Sequence, residues 1–265
     1  MDTLAAEWAE RSSILYIKVV KTKHIIEIYE YEKLNVNSTF NPDRADYGDS
    51  INALDNYRVR NQMRRDMIRR LAVQNFDKKY DKFVTLTFRD NPELDITDVK
   101  ACNAQFKNFI LRLRRVIGKL MPDDFRLAYL AVIEFQDKND RGAVHYHMLV
   151  NLPWIDQKAL EAIWGLGFVS INAIDKVDNL GAYVIKYMTP NTDDPRLMGL
   201  KAYNCSKGLD RPEVYRSWEY GEASTVGDIV QSLPKEKIVY LAEHTTKQSG
   251  KTSYSQVNLK RNSQK

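Results

Sequence analysis

Two histidines one residue apart, His145 and His147, sit inside the apolar run AVHYHMLVN, although the chain holds only four histidines. If that run is a strand, alternate side chains share a face, so both imidazoles point one way and Tyr146 the other. The preceding run, RLAYLAVIEFQ, carries a single acid, Glu134, and the linking DKNDRG has the polar residues and glycine of a tight hairpin loop. Closing the loop so that Asp137 faces Gly142 sets Glu134 directly across from His145, with side-chain bases about 5 Å apart. Two imidazoles and one carboxylate on one surface, with coordination positions left open, suit a catalytic divalent ion better than a closed structural site. Mn²⁺ or Mg²⁺ is expected, and ligand type alone does not exclude Zn²⁺. The competing account is a pair of core histidines bonded to backbone. A carboxylate on an otherwise apolar strand weighs against it, because its burial is costly unless something positive meets it.

A second set follows in GAYVIKYMTP. On a helix Tyr183 and Tyr187 stand one turn apart with both hydroxyls on one face, and Lys186 lies beside Tyr183 at i+3. A phenol titrates near 10 and is a weak nucleophile at neutral pH, so it needs a nearby cation or base. A metal holding a scissile phosphate, with Lys186 stabilising phenolate or developing charge, would supply that activation. Alone, such a tyrosine pair is as well explained by packing; the histidine strand gives it chemical meaning.

These residues need a frame. Ile14 to Val20 and Ile25 to Glu32 are β-branched and aromatic runs that predict a hairpin, followed by a polar linker. From about Ala53 to Asp77 the pattern turns helical, and RVRNQMRRDMIRR places Arg58, Arg60, Arg64, Arg65, Arg69 and Arg70 against one acid, Asp66. Either a solvated helix face or a phosphate-binding surface accounts for it, since guanidinium groups pair bidentately with phosphate oxygens. Arg112, Arg114, Arg115 and Lys119 crowd a second segment. KFVTLTF predicts a strand, Asp98 to Leu120 a long amphipathic helix, Gln157 to Trp164 a helix, GFVSINAI a strand, and Asp178 to Met188 a helix limited by Pro190. KIVYLAEHTTKQSGKTSYSQVNL predicts a hairpin about Lys247 to Lys251, with a frayed tail after it. Hairpins and helices mixed in this order indicate an α+β fold with a mainly antiparallel sheet and flanking helices. The expected organisation is an N-terminal hairpin extension and linker over 1–52, a catalytic domain with a leading basic helix over 53–205, and a C-terminal extension over 206–265.

The chain has 265 residues, 43% of them hydrophobic, and a formal net charge of +5, which supports one large domain with additions and excludes a disordered chain. Two cysteines, Cys102 and Cys205, make neither a Cys-x-x-Cys zinc site nor a disulfide framework. No apolar run approaches the ~20 residues that span a bilayer, and no signal-peptide core follows Met1, so a soluble, cytoplasmic protein without membrane partners is expected. TTKQSGKTS has a Walker A tail in Gly250, Lys251 and Thr252, but Thr245 takes the first glycine position and too few residues follow for a nucleotide-binding domain. No nucleotide cofactor is expected, and strand separation falls to a host helicase or supercoiling.

The order FVTLTF, HYH and YVIKY resembles the three motifs of rolling-circle replication initiators in the HUH endonuclease superfamily, named for His-hydrophobic-His. The resemblance runs from about Phe76 to Pro190 and looks like the initiators of Gram-positive plasmids and integrative elements, themselves similar to two-tyrosine phage initiators. It implies a sheet with the histidine strand central and a divalent metal. It further implies a tyrosine that nicks single-stranded or hairpin origin DNA to leave a 5′-phosphotyrosine and a 3′-OH that primes host DNA polymerase. Tyrosine stands where the family has an aliphatic residue between the histidines, and the third histidine of relaxases is absent. Two tyrosines allow successive strand transfers, while Tyr183 with Lys186 also fits the single-tyrosine Y-x-x-K pattern. A two-tyrosine transposase and a non-catalytic DNA-binding regulator are the alternatives.

Overall fold

The computed structural model describes residues 16–34, 53–76, 80–174, 177, 180–188, 194–201, 203–246 and 249–261. The chain divides into two compact units, one formed by Met1–Asn41 with Pro212–Lys265 and the other by Pro42–Arg211.

The larger unit has a five-stranded antiparallel sheet made of β3 (Asp81–Leu86), β4 (Tyr129–Gln136), β5 (Ala143–Asn151), β6 (Val169–Ala173) and β7 (Tyr203–Cys205), in the order β6-β3-β5-β4-β7. The histidine strand β5 is therefore central. Its two faces are both covered, and by different helices. Val84, Leu86, Ala131, Ile133, Val144, Tyr146 and Met148 pack against α2 (Val99–Ile117) and α3 (Gln157–Trp164). Phe83, Leu130, Val132 and Leu149 alternate with them and meet Ile68, Leu71 and Ala72 of α1 (Ala53–Asn75) and Val184 and Met188 of α4 (Leu180–Met188). The period of two along each strand sorts these side chains, so one residue of slippage would exchange both cores.

Capping residues stop the helices where the sequence changes character. Asp98 accepts from the Lys100 amide at α2, Asp156 accepts from Lys158 and Ala159 at α3, and Gly165 ends α3 at φ 74°. Arg112 closes the same end of α3 by donating to the Ile163 and Trp164 carbonyls, each at 2.9 Å. This arginine from the second basic segment is thus engaged in packing. Trp164 is fully buried and donates its indole N–H to the Thr87 carbonyl at 2.7 Å. Gly167 lets that strand end close, because a Cβ there would stand inside contact distance of the Thr87 carbonyl and the Arg89 amide.

In the smaller unit, β1 (Tyr16–Lys21), β2 (Ile25–Tyr31), β8 (Glu213–Arg216), β9 (Ile238–Thr246) and β10 (Gly250–Asn258) form a second antiparallel sheet, ordered β8-β1-β2-β10-β9. Val19, Ile26, Ile28 and Val257 form its core with Val226 of α5 (Ala223–Ser232). The two segments separated at sequence level as 1–52 and 206–265 thus contribute strands to one sheet. Gly250, Lys251 and Thr252 lie in β10. The polar linker, Pro190 and the tail after Arg261 fall outside the described residues. No helix among the described residues is long and apolar enough to cross a membrane.

Candidate metal and tyrosine site

The β4–β5 hairpin fixes the site's register. Its pairing runs from Tyr129 opposite Val150 to Gln136 opposite Ala143, which sets Glu134 across from His145 and Val132 across from His147. The loop turns through Asp140 at φ 54° and Gly142 at φ 58°, the second a conformation that only glycine adopts at little cost. Two arginines brace it. Arg141 donates to the Phe88 carbonyl at 2.7 Å, to Asp90 at 2.8 Å and to Gln136 at 2.9 Å. Arg196 grips Asp137 with both terminal nitrogens, at 2.7 and 2.8 Å, also bonds Asp194, and lies 3.7 Å over the Phe135 ring. Its hydrogen bond holds the Asp137 carboxyl below the ordinary carboxylate range. Neither arginine stands out in the sequence, because their partners lie up to 59 residues away.

Glu134, His145 and His147 share the sheet face that bears α1 and α4, at the end where apolar residues give way to polar ones. His147 Nε2 touches Glu134 Oε2 directly, and His147 Nδ1 lies 3.1 Å from Thr85 Oγ1, its cross-strand neighbour on β3. The hydrogen bond from His147 is the main reason that the Glu134 carboxyl stays below its ordinary value; burial opposes it. His145 is held neutral chiefly by burial and secondarily by His147, with its pKa below 6.5. Its Nε2 is buried without a hydrogen-bond partner. Among the described residues no group of three or more His, Cys, Asp or Glu is already disposed around a common point as a metal requires. The donor chemistry fits one all the same. Two imidazole nitrogens and a carboxylate converge on one face, one nitrogen is orphaned, and the other ring is oriented from behind by a hydroxyl, as ligating histidines usually are.

Thr85 is a residue that sequence reasoning missed. The signal was present in FVTLTF, where Phe83 and Thr85 alternate onto the face of the histidines once β3 is paired with β5. Phe83 links the histidines to the tyrosines. Its ring stacks on His147 at 5.5 Å and 14° and meets Tyr183 edge-on at 5.2 Å. Tyr183 and Tyr187 lie one turn apart on α4 with ring centroids 4.6 Å apart. Burial, then the neighbouring Tyr187, pushes the Tyr183 phenol above its ordinary 10, so the proton has to leave during attack and not before it. Tyr187 is 40% exposed. The Lys186 ammonium lies over the Tyr187 ring, 4.9 Å from its centroid, and so stands nearer that ring than the expected place beside Tyr183.

Tyr146, the departure between the histidines, points through the sheet to the opposite core. It is fully buried, stacks on Phe106 at 4.5 Å, and donates its hydroxyl to Asn103 Oδ1 at 2.9 Å. A neighbouring polar partner is what lets a tyrosine replace an aliphatic residue there without touching the ligand face.

The arginines of α1 do not form one surface. Arg64 bonds Asn61 at 3.1 Å and is part-buried, as are Arg60, Arg65 and Arg70. Arg69 is only 6% exposed and meets Asp66 at 3.5 Å, so its charge is engaged within the helix packing and not on a solvent face. The side chain of Arg58 lies outside the described residues.

The family described as Replication-associated protein ORF2/gene 2 protein matches residues 81–192, less than half of the chain. The matched segment runs from β3 past α4 and takes in Glu134, both histidines, both tyrosines and Lys186, but neither α1 nor the smaller unit. It supports a replication initiator as the role of this chain. No curated protein and no solved structure matches it.

Proposed function

We propose that the chain is an HUH-type nicking and joining enzyme that initiates rolling-circle replication of a plasmid or related element. The observation that carries the proposal is the single sheet face on which Glu134 is registered against His145, while Phe83 spans from His147 to Tyr183 at 5.5 and 5.2 Å. His145, His147 and Glu134 would hold a Mn²⁺ or Mg²⁺ ion, which when bound supplies charge neutralisation to a phosphodiester oxygen.

The remaining work belongs to the chain. The phenol oxygen of Tyr183 or Tyr187 attacks the scissile phosphorus, the P–O3′ bond breaks, and O3′ departs and takes up a proton. The phenol proton passes to solvent or a nearby base. The resulting 5′-phosphotyrosine keeps the energy of the broken phosphodiester, so a later 3′-OH rejoins the strand by the reverse attack. The second tyrosine, 4.6 Å away ring to ring, is placed to accept a further transfer. Lys186 adds positive charge next to Tyr187, where phenolate develops. Phe83 holds the Tyr183 ring edge-on and limits its swing, which keeps the nucleophile on the histidine side of α4.

The test is a covalent adduct, read on a denaturing gel, between the full chain and single-stranded DNA carrying its origin, with Mn²⁺ and with EDTA. Tyr183→Phe and Tyr187→Phe should each lower the yield and together abolish it. An adduct that survives the double substitution removes the tyrosines from the chemistry, and DNA binding with no cleavage under any metal leaves a regulator instead.

A further inference from the structure

On the α2 side of the same sheet, away from the histidines, an open groove of about 1210 Å³ runs between α2, the loop after it and the segment around β7. Its charged lining is one-sided: Lys107, Arg114, Arg126, Lys201 and Lys207 against Asp123 alone. Lys107 and Arg114 are seven residues apart on α2, so both project from one helix face about 10 Å apart along the axis. Leu111 lies between them and is 50% exposed. Among the described residues, Lys107, Arg114, Lys201 and Lys207 have no carboxylate within ion-pair distance, and all four are exposed. Arg126 is held in place differently. One terminal nitrogen donates to the Asp123 and Phe125 carbonyls, at 2.7 and 3.0 Å, which fixes the guanidinium without neutralising it.

Unpaired cations lining both walls of an apolar-floored trench repel one another. Their sum is favourable only with a polyanion between them. The geometry points to a second DNA-binding groove, one that holds a single strand flanking the nick site while the scissile segment lies on the opposite sheet face. This rests on the nicking function proposed above and adds a second point of hold on the same DNA. The volume suits a run of about four nucleotides, at the lower end of single-strand site sizes. Phosphates would track the lysines and arginines, and the exposed Leu111 and half-buried Tyr129 and Phe125 offer apolar surface to bases and sugars. An acidic peptide shares the charge but has no use for a row of apolar contacts spaced along cations.

The test uses the full chain and fluorescein-labelled dT30, which needs no origin sequence, in anisotropy titrations across NaCl. Each phosphate contact on a single strand contributes about 0.7 to the salt slope. Lys107→Ala/Arg114→Ala should therefore lower the slope by about 1.4 and weaken binding roughly tenfold at moderate salt. Lys201→Ala/Lys207→Ala should act alike. Photocrosslinking with 4-thiothymidine-substituted dT30 should label peptides within 103–129 and 200–208. Unchanged slopes with crosslinks confined to other segments overturn the groove, as does a 20-residue polyglutamate that binds these residues while dT30 does not. The two proposals separate cleanly. If origin adducts form at the tyrosines but dT30 slopes are unmoved, only the groove fails. If dT30 binding depends on the groove and no adduct ever forms, only the nicking function fails.

Discussion

Thr85→Val is the sharpest probe of the ligand set, since it leaves every proposed ligand in place. Thr85 Oγ1 stands 3.1 Å from His147 Nδ1. If His147 gives its Nε2 lone pair to a metal, Nδ1 carries the proton and the threonine hydroxyl is its acceptor. Valine keeps the volume and removes that acceptor. Thr85 is half-buried on a paired strand, so one lost hydrogen bond costs about 0.5–1.5 kcal/mol of stability, offset in part by the added methyl. For a unit of this size a loss of 1 kcal/mol lowers Tm by roughly 2–4 °C, leaving the protein folded at assay temperature. The effect on the metal is larger. Loss of an orienting partner typically weakens a site 10–100-fold, or about 1.4–2.7 kcal/mol at about 1.36 kcal/mol per decade. Calorimetric titration with Mn²⁺ reads it directly, and the Mn²⁺ concentration that half-saturates adduct formation should rise by the same factor. Thr85→Ser, which retains the hydroxyl, should stay near the parent. If valine and threonine forms titrate Mn²⁺ within twofold of each other, either His147 does not ligate through Nε2 or the hydroxyl does not orient it, and the site as drawn is wrong.

On α1, Arg64→Ala and Arg65→Ala should each reduce DNA affinity uniformly across sequences and lower the salt slope by about one on duplex DNA; an unchanged slope means that these side chains do not reach phosphate. Acid should destabilise the protein in two stages. His145 has a folded-state pKa below its ordinary 6.5, so the unfolded chain takes up a proton first and the stabilisation, present above about 6.5, is lost as the pH falls below it. Glu134, held below 4.5, keeps its contribution above that value and loses it only under stronger acid. Urea midpoints at pH 7.5 and 5.5 should differ, and His145→Asn should shrink the difference; equal midpoints in the parent protein would contradict a buried neutral imidazole. Tyr146→Phe should cost about 1–2 kcal/mol by leaving Asn103 Oδ1 with only its Asn204 partner, while Mn²⁺ affinity stays unchanged. A change in metal binding would show that the two faces of β5 are not independent.

The local part of the site was legible because it depends on short-range rules. Alternation along AVHYHMLVN put both imidazoles on one side, and counting back through DKNDRG put Glu134 opposite His145, as the pairing has it. Helix limits at Asp98, Asp156 and Gly165 followed from capping chemistry. What escaped depends on contacts remote in sequence. Thr85 joins the site only through β3–β5 pairing, Arg196 reaches Asp137 across 59 residues, and Arg112 caps a helix 51 residues on. β7 and β8, at three and four residues, are too short to carry a period. Arg69 reads as one more cation in a basic run, and only three-dimensional packing reveals that it faces inward against Asp66.

The pairing of the smaller sheet has a price in time. Ile17 of β1 bonds Ser217, 200 residues further along the chain, and β2 finds its second neighbour only in β10. A ribosome adding about 5–20 residues per second leaves the β1–β2 ribbon waiting roughly 10–40 s for those partners. A lone two-stranded ribbon is barely stable in water, and both its edges are open to other chains in that interval. The larger unit, encoded in between, can close its own sheet first, so aggregation during synthesis should begin at the early ribbon and not at the nuclease core.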